Sequence, residues 1–511
     1  MILLVYPPAA KPCEPSPGLA RLAGALEAHD CAVRVWDANL EGLQALLDTA
    51  PAADDHWTRQ AWARCPSDRR LLHTAAGYEN FHAYSAAVHR LNRVLTAHGR
   101  LDEATLSLAD FQHQLWSPLR SEDLLAAAVA PERIPFYRFF QNRLRALLEE
   151  SPPRLIGISL AYLSQALPAF ALIGLIRRDH PGLPIIMGGG LLTSWMRRPE
   201  WKNPFAGLID HLVAGPGEIP LLKCAGVDTP RPGAFLSYAG LELPAYFAPG
   251  PILPYDASRG CYWNRCAYCP EPAEGHPYQP LPVPQVGDDL QRLTAAHQPA
   301  LIHFTDNAMS PALLQHLIAA PPGVPWYGFI RITRQLLEPE FCLGLKRSGC
   351  AMLKIGVESG DDGVLEGMQK GVTAAAAGQV LENLAAAGIS TYIYLLFGTP
   401  WEEEQAARRT IDFAVRHARA ITWINPAIFN LPRESRASAG LELRSFYAGD
   451  LALYADFHHP LGWERKQVRH FLDRTFKRQP AIAAILRRTP PTFTSNHAAF
   501  FGSRFLTPGS A

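Results

Sequence analysis

The chain opens on the uncharged run Ile2-Leu3-Leu4-Val5-Tyr6, passes through a Pro/Gly-rich loop, and then spaces its apolar residues at helical intervals over Leu19 to Ala28. A second apolar run, Ala32 to Trp36, ends at Asp37. Short apolar runs bounded by turn residues predict strands buried on both faces. The pattern resumes with strand Leu155 to Leu160, helix Ala166 to Arg178, strand Pro184 to Met187, the triplet Gly188-Gly189-Gly190 and a short strand near His211 to Ala214. Strands alternating with helices predict an α/β unit built on a doubly wound, Rossmann-like parallel sheet. Residues 43–150, rich in Ala, Leu, Arg and His at helical spacing, read as a helical insertion in it.

From Val227 to Pro254 the sequence is Pro- and Gly-rich with little periodicity, the mark of a linker. A second series follows: strands Ala300 to Thr305, Trp326 to Ile330 and Met352 to Val357, helix Ala374 to Ala387, strand Thr391 to Phe397 and helix Glu403 to His417. Repeated strand and helix pairs predict a partial or full TIM-like β/α barrel. Beyond about Asn430 the pattern is mostly helical and ends in a weakly structured tail. The predicted domains are therefore 1–226, a linker 227–254, a barrel 255–430 and a C-terminal region 431–511.

Hydrophobic residues make up 48% of the 511 and charged ones 19%, which describes a globular chain rather than a disordered one. Lys+Arg (48) and Asp+Glu (47) nearly balance, so no overall basic field favours nucleic acid or an anionic membrane. Leu155 to Ile176 carries no charge and is long enough to span a bilayer, but Ser159, Ser164, Gln165 and Pro168 divide it into strand, loop and a helix opening near Pro168. Nine cysteines, an odd number without a preceding signal peptide, fit a reducing cytoplasm better than a secreted disulfide framework.

Three of those cysteines lie within nine residues, in Ser258-Arg259-Gly260-Cys261-Tyr262-Trp263-Asn264-Arg265-Cys266-Ala267-Tyr268-Cys269-Pro270. Thiolates are the standard ligands of iron-sulfur clusters, and three of them on a four-iron cubane leave one iron open for a substrate or cofactor. Structural zinc is the alternative; it wants a fourth ligand, for which His276 is the candidate.

The loop, with an aromatic residue before its last cysteine, resembles those of the radical S-adenosylmethionine (SAM) superfamily. Family loops usually place three residues between the first two cysteines; here there are four. The resemblance extends over most of 250 to 430: Phe304-Thr305-Asp306-Asn307, Phe329-Ile330-Arg331, Lys354-Ile355-Gly356-Val357-Glu358-Ser359-Gly360, Met368-Gln369-Lys370-Gly371 and Leu396-Phe397-Gly398-Thr399-Pro400-Trp401-Glu402 are similar to family segments. It implies a 4Fe-4S cluster on Cys261, Cys266 and Cys269, and SAM held by Tyr268, Asp306, Arg331, Glu358, Ser359 and Gly398. A buried structural ion pair between Glu358 and Arg331 is the competing reading.

The first unit is similar to the cobalamin-binding domains fused to one branch of that superfamily, through Leu4-Val5-Tyr6-Pro7-Pro8, Pro17-Gly18-Leu19, Gly157-Ile158-Ser159-Leu160, Ile186-Met187-Gly188-Gly189-Gly190 and Gly215-Pro216-Gly217-Glu218. This resemblance implies cobalamin contacts at Pro7, Pro8, Ser159, Leu160, Gly188, Gly189, Gly190 and Glu218. The Asp-x-His-x-x-Gly motif that supplies a lower cobalt ligand in many such domains is absent: Asp37-Ala38-Asn39-Leu40-Glu41-Gly42 has Asn in the histidine place, and Asp54-Asp55-His56 lacks the glycine. His180 and His211 read as surface or capped residues.

Together the resemblances imply a cytoplasmic enzyme in which an electron from the cluster cleaves SAM to methionine and a 5′-deoxyadenosyl radical, and methylcobalamin methylates the substrate radical. They imply an electron donor such as flavodoxin or ferredoxin, and a small-molecule or peptide substrate at the interdomain seam. A non-methylating radical enzyme, or a cobalamin or redox sensor, are the alternatives.

Overall fold

The computed structural model describes residues 1–52, 55–100, 103–231 and 235–502. They form two compact units, Met1–Pro251 with Tyr447–Leu453, and Ile252–Phe446 with the chain from Tyr454 onward.

The first unit contains β1 (Ile2–Val5), α1 (Pro17–Glu27), β2 (Val33–Trp36) and α2 (Ala38–Asp48), and then the insertion. That insertion comprises α3 (His56–Leu72), α4 (Phe81–Arg100), the hairpin β3 (Ala104–Leu106) and β4 (Phe111–His113), α5 (Ser121–Val129) and α6 (Tyr137–Glu150). It is helical as predicted, with one small hairpin added. The sheet is completed by β5 (Leu155–Ser159), α7 (Leu163–Asp179), β6 (Ile185–Gly188), α8 (Gly190–Met196), β7 (His211–Leu212) and α9 (Glu218–Cys224). Its order is β2-β1-β5-β6-β7, every pair parallel. All residues of β1 and β5 are buried, as their uninterrupted apolar runs require.

Two boundaries differ from the sequence reading. Helix α7 begins at Leu163, and Pro168 lies inside it. Gln165 explains the earlier start: its Oε1 accepts from the backbone N–H of Ala161 and Tyr162, each at 3.0 Å, forming a capping box. Pro168 has no N–H for the Ser164 carbonyl, and the N–H of Ala9 donates to that carbonyl instead, at 3.4 Å. The second difference is the linker, whose residues 232–234 lie outside the described ones. Residues 235–248 form a strap packed on the first unit, with Leu236, Tyr238, Leu243, Tyr246 and Phe247 buried. Backbone bonds from Ser237 to Ala20 and from Phe247 to Pro12 hold it there.

In the second unit, β8 (Ile252–Tyr255) leads to β9 (Ser258–Arg259), α10 (Pro270–Ala273), β10 (Gln279–Pro280) and α11 (Val283–His297). Next come β11 (Leu301–Phe304), α12 (Pro311–Ala319), β12 (Trp326–Ile330), α13 (Pro339–Arg347), β13 (Cys350–Glu358), α14 (Asp362–Gly367), α15 (Ala374–Ala386), β14 (Ser390–Phe397), α16 (Glu404–Arg416) and β15 (Trp423–Ile428). Six of these strands form one sheet in chain order, β8-β11-β12-β13-β14-β15, parallel throughout. The barrel is thus partial, with β8 and β15 as its edges.

The C-terminal region opens with an antiparallel sheet of β16 (Leu431–Pro432), β17 (Leu443–Ser445) and β18 (Tyr454–Phe457), which the mostly helical reading did not contain. Strands of two to four residues are too short to leave an alternating pattern. Helices α17 (Arg465–Phe471), α18 (Pro480–Leu486) and α19 (Ser495–Ala498) follow. The tail from residue 503 lies outside the described residues. Among the described residues no helix is long and apolar enough to cross a membrane.

Candidate active site

The cysteine loop leaves β9 through Gly260, whose φ of 70° and whose distance to Pro277 exclude a side chain: an added Cβ would lie 2.5 Å from that carbonyl oxygen. Cys261, Cys266 and Cys269 are free thiols, each partly exposed. Burial pushes the Cys269 thiol up to about 12, and the nearby Cys266 and Cys261 add to the rise. A buried thiol raised in this way gives up its proton most readily to a centre that carries positive charge. Arg331 adds a donor, its Nη1 lying 3.5 Å from Cys266 Sγ.

This donor set fits an iron-sulfur cluster better than zinc. His276 is engaged elsewhere, with Nδ1 3.0 Å from Glu271 and Nε2 3.4 Å from Glu274. Zinc draws four side chains onto a single ion, and His276, held by these two carboxylates, is not free to be the fourth. A cubane instead spreads its cysteines over separate irons.

Beside the loop stands a polar triad. Tyr268 donates its hydroxyl to Glu358 Oε1 at 3.0 Å, and Lys370 Nζ donates to the same oxygen at 2.8 Å and to the Tyr268 hydroxyl at 3.0 Å. Burial and then the Glu358 carboxylate raise the Tyr268 phenol well above its ordinary value, so it remains a donor. Glu358 ends β13 at φ 67°, a conformation that side chains resist. Its ion-pair partner is Lys370, not Arg331, which corrects the competing reading in its particulars. Arg331 instead stacks over the Trp263 ring at 4.2 Å and donates Nη2 to the Lys370 carbonyl.

Asp306, after β11, accepts from the Ser258 hydroxyl and, at 3.1 Å, from the Ala257 N–H; burial pushes it up to about 6. It therefore anchors the entry to the cysteine loop. Ser359 shares a 3.1 Å hydrogen bond with Thr410 and tethers the Asp361 N–H, serving the turn rather than facing the cysteines. Gly398 ends β14 at φ 80°, and its N–H donates to Glu402. Sequence reasoning assigned no role to Lys370, Trp263, Glu402 or Thr410. The first three lie inside the quoted segments, whereas Thr410 sits in α16 with no local signal.

In the first unit, the strand order reverses between β1 and β5, where ligands of open parallel sheets bind outside the carboxyl ends. There the Pro7 carbonyl accepts from Gln165 Nε2 at 2.6 Å, Pro8 continues the same turn, and the N–H of Leu160, after Ser159, donates to the Gly188 carbonyl at 2.8 Å. Gly189 has φ 111°, and a Cβ on it would lie 2.3 Å from the Leu160 carbonyl oxygen. In front of Gly190 the nearest atom to an added Cβ is 3.9 Å away. Backbone and glycine thus form this edge with few side chains in the way, which is the kind of surface a bulky ligand such as cobalamin can approach closely, so the residues fit it. Glu218 lies in the first turn of α9. The Asp37 motif is structural: Oδ1 caps α2 at the Leu40 N–H, 2.8 Å away, Oδ2 accepts from the Tyr246 hydroxyl at 2.5 Å, and Asn39 accepts from the Ala10 N–H. Asp55 caps α3 at the Thr58 N–H; Asp54 lies outside the described residues.

No family model matches the chain. Over 178 residues it is 28% identical to the bacteriochlorophyllide d C-12(1)-methyltransferase of Chlorobaculum tepidum; the match takes in 32% of this chain and 38% of that relative. The chain thus spans well under half the length of this curated relative. The fold is shared more widely. TsrM from Kitasatospora setae, a radical S-adenosylmethionine methyltransferase solved with tryptophan substrate and a SAM analogue, superposes with a TM-score of 0.53 at 18% identity, over 88% of this chain and 78% of TsrM. A second TsrM structure, with cobalamin and a 4Fe-4S cluster, gives 0.52 at 17% identity over 89% and 84%. OxsB, a cobalamin-dependent radical enzyme solved with aqua-cobalamin and S-adenosylmethionine, gives 0.53 at 13%, over 89% of this chain and 63% of OxsB. The fold is therefore that of TsrM and OxsB: a doubly wound sheet followed by a six-stranded partial barrel.

Proposed function

We propose that this chain is a cobalamin-dependent radical SAM methyltransferase acting on an unactivated carbon of a small-molecule substrate. One observation carries the reading: the three-cysteine loop, a guanidinium against its Cys266 and a triad that joins its Tyr268 to Glu358 and Lys370 gather at the carboxyl ends of β12 and β13, in a chain whose other unit is a doubly wound sheet with a glycine turn after β6. Fold likeness to TsrM and OxsB and the partial identity to a methyltransferase support it.

Cys261, Cys266 and Cys269 would hold the 4Fe-4S cluster. Lys370 and Tyr268 hold the Glu358 carboxylate at the end of β13, aimed for the amino or ribose groups of SAM, and Gly398 lets backbone approach the adenosine. Pro7, Ser159, Leu160 and Gly188 to Gly190 would seat cobalamin, with Pro8 and Glu218 beside them. When bound, these groups supply one-electron cleavage of SAM and a transferable methyl group. The protein's part is to hold them and to exclude water and oxygen. A flavodoxin or ferredoxin would deliver the electron.

The test uses the anaerobically reconstituted chain with methyl-labelled SAM and candidate substrates. Label passing into cobalamin and then product is expected. Formation of 5′-deoxyadenosine with no label in cobalamin or product would overturn methylation in favour of another radical reaction.

A further inference from the structure

The four residues between Cys261 and Cys266 build a support that the usual three-residue spacing leaves unexplained. Trp263, second of the four, donates its Nε1 to the Gln369 carbonyl at 3.2 Å. Its ring lies against Gly371, where φ is 70° and an added Cβ would come within 2.4 Å of the indole. The ring is thus docked on the turn that carries Lys370. One face of it receives the Arg331 guanidinium at 4.2 Å, and Arg265, fourth of the four, lies 5.1 Å from the ring centre.

Held over the indole, Arg331 is 8% exposed and directs its two terminal nitrogens differently. Nη2 donates to the Lys370 carbonyl, and Nη1 points at Cys266 Sγ, 3.5 Å away. We infer that Arg331 is a positioning residue for the cluster sulfur rather than a ligand of SAM: stacked on Trp263, it donates a charge-assisted hydrogen bond to the Cys266 thiolate and raises the reduction potential of the cluster. The inference rests on the iron-sulfur reading of the loop. The physics is direct. Reduction adds one negative charge to the cluster, and a nearby cation with an N–H aimed at sulfur stabilises the reduced form more than the oxidised one. Low dielectric around a buried guanidinium strengthens the effect.

The experiment is an anaerobic redox titration of the reconstituted full chain, followed by electron paramagnetic resonance at matched iron content. For Arg331→Gln we expect about a tenfold fall in the reduced-to-oxidised ratio at the potential where the native protein is half reduced, a shift of about 59 mV for one electron. Arg331→Lys keeps the charge but loses the planar stack and the fork, and lies between. Trp263→Ala, which removes the platform and leaves the arginine, shifts the same way. If these variants titrate at the native midpoint, the inference is overturned. It is equally overturned if Arg331→Gln keeps the midpoint and loses SAM binding, which would make Arg331 a cofactor ligand. A native chain that assembles no cluster would instead defeat the reading of the cysteine loop itself.

Discussion

Glu402 is fully buried, and its protonation is set by what surrounds it. Oε2 accepts from the Gly398 N–H and, at 3.2 Å, from Trp463 Nε1, while burial pushes the carboxyl from an ordinary 4.5 up to about 8. Because the folded value lies above the unfolded one, the folded state binds the proton more tightly. Stability is therefore highest below about 4.5 and declines as pH rises through about 8. At neutral pH the side chain is a neutral acid, which glutamine imitates. Glu402→Gln should match the native melting temperature near pH 6 and exceed it at pH 9, by on the order of 2 kcal/mol. A constant difference between the two proteins at both pH values would show instead that the folded carboxyl is already charged at pH 6, as it is in the unfolded chain, and would overturn the raised value. The segment Gly398 to Glu402 was legible in the sequence, but this role was not, since the burial that creates it comes from Trp463, sixty-one residues downstream.

At the level of elements, legibility followed chemistry that is local. Central strands β1, β5 and β13 announce themselves because burial on both faces demands an unbroken apolar run. The edge strands of the six-stranded sheet do not, although β2 and β7, at the edges of the first sheet, were read. Pro254 in β8 and Pro426 in β15 lie at opposite edges of the six-stranded sheet, where a missing N–H is tolerated; the first read as linker and the second went unread. The turn between β6 and α8 is the opposite case, being legible as a glycine triplet whose members have different duties. Gly189 has positive φ and a carbonyl 2.3 Å from any Cβ, whereas a Cβ on Gly190, which opens α8, would meet only an ordinary contact at 3.9 Å. Gly189→Ala should thus cost 3 kcal/mol or more in stability. Gly190→Ala should leave the melting temperature within about 1 °C and lower cobalamin uptake by placing a methyl group on the edge where the proposed ligand would approach. Equal stability losses in the two variants would contradict this division of labour.

For the whole molecule, the two units carry different parts of the proposed chemistry, and that division can be measured. The thiols and the Glu358 triad belong entirely to the second unit, and the glycine turn after β6 entirely to the first. Sequence spacing singled out both groups of residues because each is built from short segments at strand ends. It missed the pairing of Glu358 with Lys370, which depends on where the turn after α14 comes to rest. A ligand that binds only the folded form of one unit stabilises that unit by mass action, by about 2.7 kcal/mol at a hundredfold excess over its dissociation constant. In a unit of about 250 residues this corresponds to a rise of about 5–10 °C. Calorimetry of the full chain with hydroxocobalamin should therefore raise one unfolding transition by that amount, and it should be the transition that Gly189→Ala lowers. Cluster reconstitution without cobalamin should raise the other. If hydroxocobalamin moved only the transition insensitive to Gly189→Ala, the glycine turn of the doubly wound sheet would not be its site, and the methyl carrier would have to be sought in the barrel unit.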